Sequence, residues 1–272
     1  MNYLLSNGGL QILRSFCRAG TLVALDYDGT LAPITLDPAR AFMSSATREL
    51  VAQISRSYPT LVLTGRSRTD AMRLLDLPTV EVIGNHGMEA EGASSGGVRA
   101  RVIGWKSHLQ TRLISVAGVV LEDKEWSLAV HYRQSANHAI ASELVRRAAL
   151  ELPDVRLVGG KCVLNVLPAE APDKGSALLQ QLHLIGASQA VFVGDDVTDE
   201  AVFRVDRPDV VLSIRVGYDP SSHARYYVHD RDEVDFVLQA LMTMRAEMAA
   251  TDVGRVADSR ADQLSVDGRD AS

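Results

Sequence analysis

Six short runs in this 272-residue chain are largely apolar rather than alternating: residues 22–25, 61–63, 80–83, 191–193, 210–214 and 226–228. Strands with this pattern are buried on both faces, which is the condition of a parallel sheet covered by helices. Helix-like stretches lie beside these runs at 45–57, 69–75, 175–184 and 233–248. The last places Leu238, Leu241, Met242 and Met248 toward a core, as an amphipathic helix does. A short packed helix follows Gly8-Gly9, carrying Leu10, Ile12, Leu13 and Phe16. The alternation makes the fold class α/β, with a parallel sheet at its centre.

The middle of the chain breaks this rhythm. A helical stretch from Gly104 to about Val120 precedes a strand at 127–131, a helix at about 137–150, and strands at 155–158 and 162–167. Such an αβαββ segment can form its own antiparallel layer with helices on one face. Gly92-Ala93-Ser94-Ser95-Gly96-Gly97 reads as a hairpin loop at its start, and Pro168-Ala169-Glu170-Ala171-Pro172 as an exit linker, since proline disfavours continuing either element. The expected organisation is a core of residues 1–102 and 171–250, interrupted by an α+β lid at 103–170. Residues 251–272 lack a coherent apolar face and are expected to be disordered.

A net charge of −6 argues against broad nucleic-acid or anionic-membrane binding, though it leaves room for a local basic pocket. Cys17 and Cys162 are the only cysteines, so no disulfide framework is implied. No signal-peptide pattern or membrane-spanning apolar run is apparent, and a cytoplasmic location is the expectation.

The first apolar run delivers Asp26-Tyr27-Asp28-Gly29-Thr30. Open parallel sheets place ligands at the carboxyl ends of their strands. Thr64 and Asp195 occupy two more such ends, in Thr64-Gly65-Arg66-Ser67 and in Gly194-Asp195-Asp196-Val197-Thr198-Asp199-Glu200. Each segment alone has an ordinary structural reading: a turn, a helix N-cap with a surface arginine, a solvated acidic loop. Their convergence on one rim carries the functional one. Asp26 and Asp195, backed by Asp199 or Asp196, suit Mg²⁺, which takes one or two carboxylates plus substrate oxygens; the spacing of an EF-hand is absent. Asp26 is the candidate nucleophile toward phosphorus, and Asp28 the candidate acid and base for the leaving oxygen and for water. Gly29 permits the sharp turn. Thr64 and the following N–H groups form a candidate phosphate cradle, and Lys174 supplies the balancing cation.

These segments, in this order, resemble the haloacid dehalogenase superfamily and, within it, the trehalose-6-phosphate phosphatases. The long acidic segment 194–200 points to that branch, as do Asn85-His86-Gly87-Met88-Glu89, His131-Tyr132-Arg133 and Gly160-Lys161-Cys162-Val163. The resemblance implies a Rossmann-like core with an inserted α+β cap and an Mg²⁺-dependent phosphatase acting on trehalose 6-phosphate through an aspartyl phosphate. It assigns Asp26 as nucleophile, Asp28 as acid/base, Thr64 and Lys174 as phosphate ligands, and Asp195 as the main Mg²⁺ ligand. The Asp28 backbone carbonyl would also touch the metal, and Asp199 would support the metal or Lys174. Candidate substrate ligands are Arg66, His86, Glu89, Arg133, Lys161 and Asn165, while Trp105 and Trp126 read as cap core. Family members usually carry glutamate where this chain has Asn165, so another sugar or pseudo-disaccharide phosphate is the alternative substrate. A trehalose-phosphate synthase is a possible partner by the same resemblance. A non-catalytic sugar-phosphate sensor is the rival from another class, and the intact acidic set argues against it.

Overall fold

The computed structural model describes residues 1–35, 37–90, 96–205 and 207–267, with side chains to residue 250. In chain order the strands are β1 (Asn2–Tyr3), β2 (Leu22–Leu25), β3 (Thr60–Leu63), β4 (Glu81–Ile83), β5 (Val120–Asp123) and β6 (Leu128–His131). They continue as β7 (Val155–Gly160), β8 (Val163–Pro168), β9 (Ala190–Gly194), β10 (Val211–Val216) and β11 (Tyr226–Val228). The helices are α1 (Asn7–Ser15), α2 (Ser45–Ser57), α3 (Arg68–Leu75), α4 (Gly96–Leu113), α5 (His138–Leu150), α6 (Lys174–Leu184), α7 (Glu200–Phe203) and α8 (Asp232–Asp267).

Seven strands pair in parallel, in the order β1-β11-β10-β9-β2-β3-β4. The continuous apolar runs exist because each strand is covered twice. Along β2, Val23 and Leu25 enter one core with Leu13, Ile54, Leu74 and Leu238, so that face is closed by α1, α2, α3 and α8. Leu22 and Ala24 enter a second core with Leu178, Leu182, Val202 and Phe203, closed by α6 and α7. The period-two alternation of a strand assigns the residues to the two layers.

A second, antiparallel sheet has the order β5-β6-β8-β7. Leu128, Val130, Leu164 and Val166 face α4 and α5, packing with Val102, Trp105, Leu109 and Val145. The opposite face carries Glu122, His131, Val163 and Asn165 toward the parallel sheet's rim. Register aligns Glu122 with Ala129 and Ala129 with Asn165, and a one-residue slip would turn every one of these side chains to the other face. Trp105 is buried in this core, while Trp126 packs against Met88, Leu167 and Ala171 at the junction with the larger sheet.

This segment differs from the expected αβαββ order. Its first helix starts at Gly96 and ends at Leu113, and residues 120–123 form a strand. Spacing at Val102, Trp105, Leu109 and Leu113 packs α4 onto the sheet, overriding the poor helix propensity of its three glycines. Gly118 turns the chain with φ +77°. Of the expected hairpin loop, Gly96 and Gly97 belong to α4 and residues 92–95 lie outside the described residues. The expected disordered tail also differs: α8 continues to Asp267, with 268–272 outside the described residues. Alanine and arginine favour helix even without an apolar stripe. Among the described residues, no helix is long and apolar enough to cross a membrane.

Candidate active site

The aligned ends of β3, β2 and β9 set the site, because Leu25 sits beside Val62 and Val193 in register. Asp26, Thr64 and Asp195 follow these strands on one rim. All three are buried, and they line a common cavity of about 160 Å³ with Asp28, Arg66, His86, Lys174 and Asn165.

Asp26 accepts two contacts on the same oxygen: the Tyr27 backbone N–H at 2.7 Å and Lys174 Nζ at 3.0 Å, both on Oδ1. Lys174 begins α6, where the helix dipole opposes a cation. Asp173 caps that helix by accepting the Ser176 N–H at 2.8 Å. With only 1% of its surface exposed, Lys174 donates to Asp199 Oδ1 at 2.7 Å as well. Burial works against its charge, but Asp199 and Asp26 more than offset this and hold the ammonium above its usual range. For Asp26 the balance reverses. Burial pushes its carboxyl well above the ordinary range, Lys174 pulls it back, and Asp199, Asp195 and Asp28 push it up further. A second cation is what this cluster calls for electrostatically.

Both oxygens of Asp199 are engaged within the protein. Its Oδ2 accepts the backbone N–H groups of Asp195 at 2.8 Å and Asp196 at 2.9 Å, so it shapes the acidic loop. Asp195 gives Oδ2 to Lys161 Nζ at 2.6 Å, while Oδ1 is buried with no hydrogen-bond partner among the described residues. Burial, against the pull of Lys161, pushes the Asp195 carboxyl up to about 6. Asp26, Asp195 and Asp199 each offer an oxygen within 4.8 Å of the others. The all-oxygen set, its crowding and the unpartnered Asp195 Oδ1 fit a hard divalent cation such as Mg²⁺. Gly29, at φ +82°, is required here, because a Cβ on it would collide with the Asp195 carboxylate.

Asp28 lies in a fork made by Arg66: Nε and Nη2 each reach one of its oxygens at 2.6 Å, and Nη1 takes Asp70 at 2.6 Å. Arg66 therefore serves Asp28 in this structure, although the sequence marks it as a substrate ligand. Thr64 Oγ1 accepts the Arg66 backbone N–H at 3.2 Å, closing a loop whose Ser67 caps α3 by accepting the Asp70 N–H.

The smaller sheet brings three cations down to this rim. Lys161, at the β7–β8 hairpin, reaches Asp195 as described. Arg133 donates to the carbonyls of Thr35 at 2.7 Å and Lys161 at 3.0 Å. Lys124 Nζ donates to the Gly65 carbonyl at 2.9 Å. Asn165 lines the cavity, its amide donating to Val158 O at a long 3.4 Å. A second hollow of about 350 Å³ shares Pro38, Arg66, Glu122, His131 and Arg133 with the first and extends it between the two sheets.

Glu89 is not among the residues lining either hollow; its carboxylate accepts the Arg68 backbone N–H and packs under Gly84. It holds the loop rather than facing a ligand. Glu122 and Lys124, conversely, face the cavity without having been singled out from the sequence. Ending a helix at about Val120 and starting the next strand at 127 left them unassigned. The sequence there, Val120-Leu121-Glu122-Asp123, carries no period-two pattern; only the alternating exposure in the folded strand marks it.

The family described as trehalose-phosphatase matches residues 24–231. Among curated relatives, the probable trehalose-phosphate phosphatase D of Arabidopsis thaliana is 32% identical over 243 residues, covering 80% of this chain and 66% of the relative. The probable trehalose-phosphate phosphatase 3 of Oryza sativa subsp. japonica is 34% identical over 215 residues, covering 68% of this chain and 59% of the relative. The chain thus spans somewhat less than two thirds of the length of these relatives. Among solved structures, the C-terminal domain of C. albicans trehalose-6-phosphate phosphatase superposes with a TM-score of 0.75 at 20% identity, covering 88% of this chain and 98% of that one. That likeness shows the fold: the haloacid dehalogenase-like α/β core with its antiparallel insertion.

Proposed function

The chain belongs to the trehalose-phosphatase family, and from that premise we propose that it is an Mg²⁺-dependent phosphatase releasing phosphate from trehalose 6-phosphate through an aspartyl phosphate on Asp26. The observation that carries the reading is the engagement of Asp26 Oδ1 by both Lys174 and the Tyr27 N–H. The other oxygen, Oδ2, is the one left to attack phosphorus. As its bond to phosphorus forms, the ester bond to the sugar oxygen breaks, and Asp28 delivers a proton to that leaving oxygen. In the second half, Asp28 takes a proton from water as the water oxygen attacks the phosphorus of the acyl phosphate. The Asp26–phosphate bond then breaks, restoring both carboxyl groups.

Asp195 Oδ1, which has no hydrogen-bond partner among the described residues, would hold the divalent ion beside Asp26, with Asp199 supporting the loop. Bound there, Mg²⁺ would neutralise repulsion between the carboxylate and the phosphate dianion. Thr64 and Lys174 hold the phosphate oxygens, and the Arg66 fork keeps Asp28 on the leaving-group side. Glu122, Lys124, Arg133, Lys161 and Asn165 face the sugar from the antiparallel sheet, with the second hollow giving room for a disaccharide. The division of labour is a core at 1–90 and 171–250 for the chemistry and a cap at 96–170, which takes in all of α4, for the sugar, in keeping with the cytoplasmic chemistry of a small, free metabolite.

Asn165 is the observation that favours a second reading with the same chemistry but another sugar or pseudo-disaccharide phosphate. Phosphate release from trehalose 6-phosphate, sucrose 6-phosphate and glucose 6-phosphate, each with Mg²⁺ and with excess chelator, separates the two. The expected result is a clear preference for trehalose 6-phosphate, lost on chelation and restored by Mg²⁺. A preference for another ester would move the substrate; turnover unaffected by chelation would remove the metal.

A further inference from the structure

Arg66 is 8% exposed, and each nitrogen of its guanidinium meets a carboxylate. Nε and Nη2 fork onto Asp28, as described above. Nη1 donates to Asp70 Oδ2 at 2.6 Å, and Arg73 Nη2 donates to the other Asp70 oxygen at 2.8 Å. Asp28, Arg66, Asp70 and Arg73 thus form a chain of alternating charge. Burial works against the Arg66 cation, but Asp28 and then Asp70 more than offset this and hold it above its usual range.

The place of Asp70 in the fold makes it a firm anchor. Arg66 lies in the loop after β3, whereas Asp70 lies in the first turn of α3, where the helix dipole favours a carboxylate. Its backbone N–H is the group that Ser67 caps, at 3.2 Å. The Arg66 guanidinium carbon stands 5.6 Å from the centre of the Tyr27 ring, which is itself buried and tied by its hydroxyl to Ala41 O at 3.0 Å. That ring restrains the guanidinium on one side, yet a planar fork can still swing within its own plane. The bond from Nη1 to Asp70 opposes that swing. Asp28 has 37% of its side chain exposed, so its direction depends on the fork more than on packing.

We propose that Asp70 is a positioning residue for phosphoryl transfer: it locks Arg66, and through Arg66 keeps Asp28 aimed at the oxygen that leaves. The inference rests on the acid/base role given to Asp28 above and deepens it. Support for the proton donor then comes from α3, outside the strand ends that carry the reacting groups. Asp70 also borders the second hollow, so direct contact with the sugar is the competing role.

The test uses two esters that differ in their need for an acid. A sugar alkoxide leaves poorly unless protonated, while p-nitrophenolate leaves without a proton. Both are read as kcat/KM, which covers the steps up to departure of the leaving group. In Asp70→Asn the value for trehalose 6-phosphate should fall about 5- to 50-fold, through kcat, and that for p-nitrophenyl phosphate by about 2-fold or less. The ratio of the two esters cancels any loss of folded protein. Asp70→Glu, which keeps the charge, should recover part of the loss. Added to Arg66→Lys, Asp70→Asn should cost about 2-fold or less further, because both act through one contact. Equal losses on the two esters would mean general structural support and would overturn the proposal, as would independent losses in the double variant. A raised KM at unchanged kcat would place Asp70 against the sugar and overturn it too. Failure to turn over trehalose 6-phosphate while the aryl ester is hydrolysed strikes the substrate reading alone. Glucose 6-phosphate then serves as the alkyl ester, and the same ratio decides the role of Asp70.

Discussion

At the scale of single residues, the Arg66 fork on Asp28 is a two-point contact that a point charge cannot reproduce. Guanidinium is planar and meets both oxygens of a carboxylate, whereas an ammonium meets one at a time. Arg66→Lys should therefore leave the charge and lose the orientation. The expected outcome is a fall in kcat of about 10- to 100-fold with little change in KM, checked by steady-state phosphate release. A change confined to KM would return Arg66 to the substrate-ligand role suggested by the sequence. Glu89 shows the limit of that kind of reading. Its place in a motif could not reveal that its carboxylate is spent on the Arg68 backbone.

At the scale of elements, the turn after β2 and the edge strand β5 make the sharpest claims. Gly29→Ala forces a side chain to φ +82° and drives its Cβ into the Asp195 carboxylate. A loss of about 1–3 kcal/mol in stability and a weakened Mg²⁺ dependence of turnover are expected, read by thermal melting and by Mg²⁺ titration. Asp123, ending β5, accepts from Arg99 at 2.6 Å, Lys106 at 3.0 Å and the Glu125 N–H at 2.9 Å. Burial alone would raise its carboxyl, but these donors hold it at about 2, below the ordinary 3.8. A depressed carboxyl stabilises the fold above its ordinary value and loses that contribution as pH falls toward the folded one. Asp123→Asn should thus cost about 1–2 kcal/mol at pH 7, with the gap to the native protein narrowing from pH 5 to pH 3 in urea unfolding. A constant gap would contradict the ion-pair account.

What the sequence made legible follows the same physics. Strand 22–25 and helix 45–57 were readable to the residue because one is buried on both faces and the other is capped by Ser44 and ended before Pro59. β5 was not, because an edge strand with Glu122, Asp123 and Lys124 beside it carries no continuous apolar run. In the site, Asp26, Asp28, Thr64 and Asp195 could be placed on one rim because a strand end fixes where each must lie, and Lys174 because the acidic cluster needs a cation. The residues across the cavity depend on the register of a second sheet, which no local pattern specifies, so Lys124 emerged only from the fold.

At the scale of the whole molecule, two sheets share one cavity: the parallel sheet's rim presents Asp26, Asp28 and Asp195 with Lys174 and Arg66, and the antiparallel sheet presents Lys124, Arg133 and Lys161 with Glu122. Lys161, Lys124 and Arg133 all reach the larger sheet's loops. Chemistry and sugar recognition are thereby carried by separate layers that meet at the phosphate. The most direct measurement is an acid quench of the protein in turnover with substrate labelled in its phosphate, followed by peptide mapping. Label is expected on the peptide containing Asp26 and absent from Asp26→Asn, whose turnover should fall by roughly three orders of magnitude or more. Turnover near the native rate in Asp26→Asn, or label on another residue, would contradict attack by Asp26.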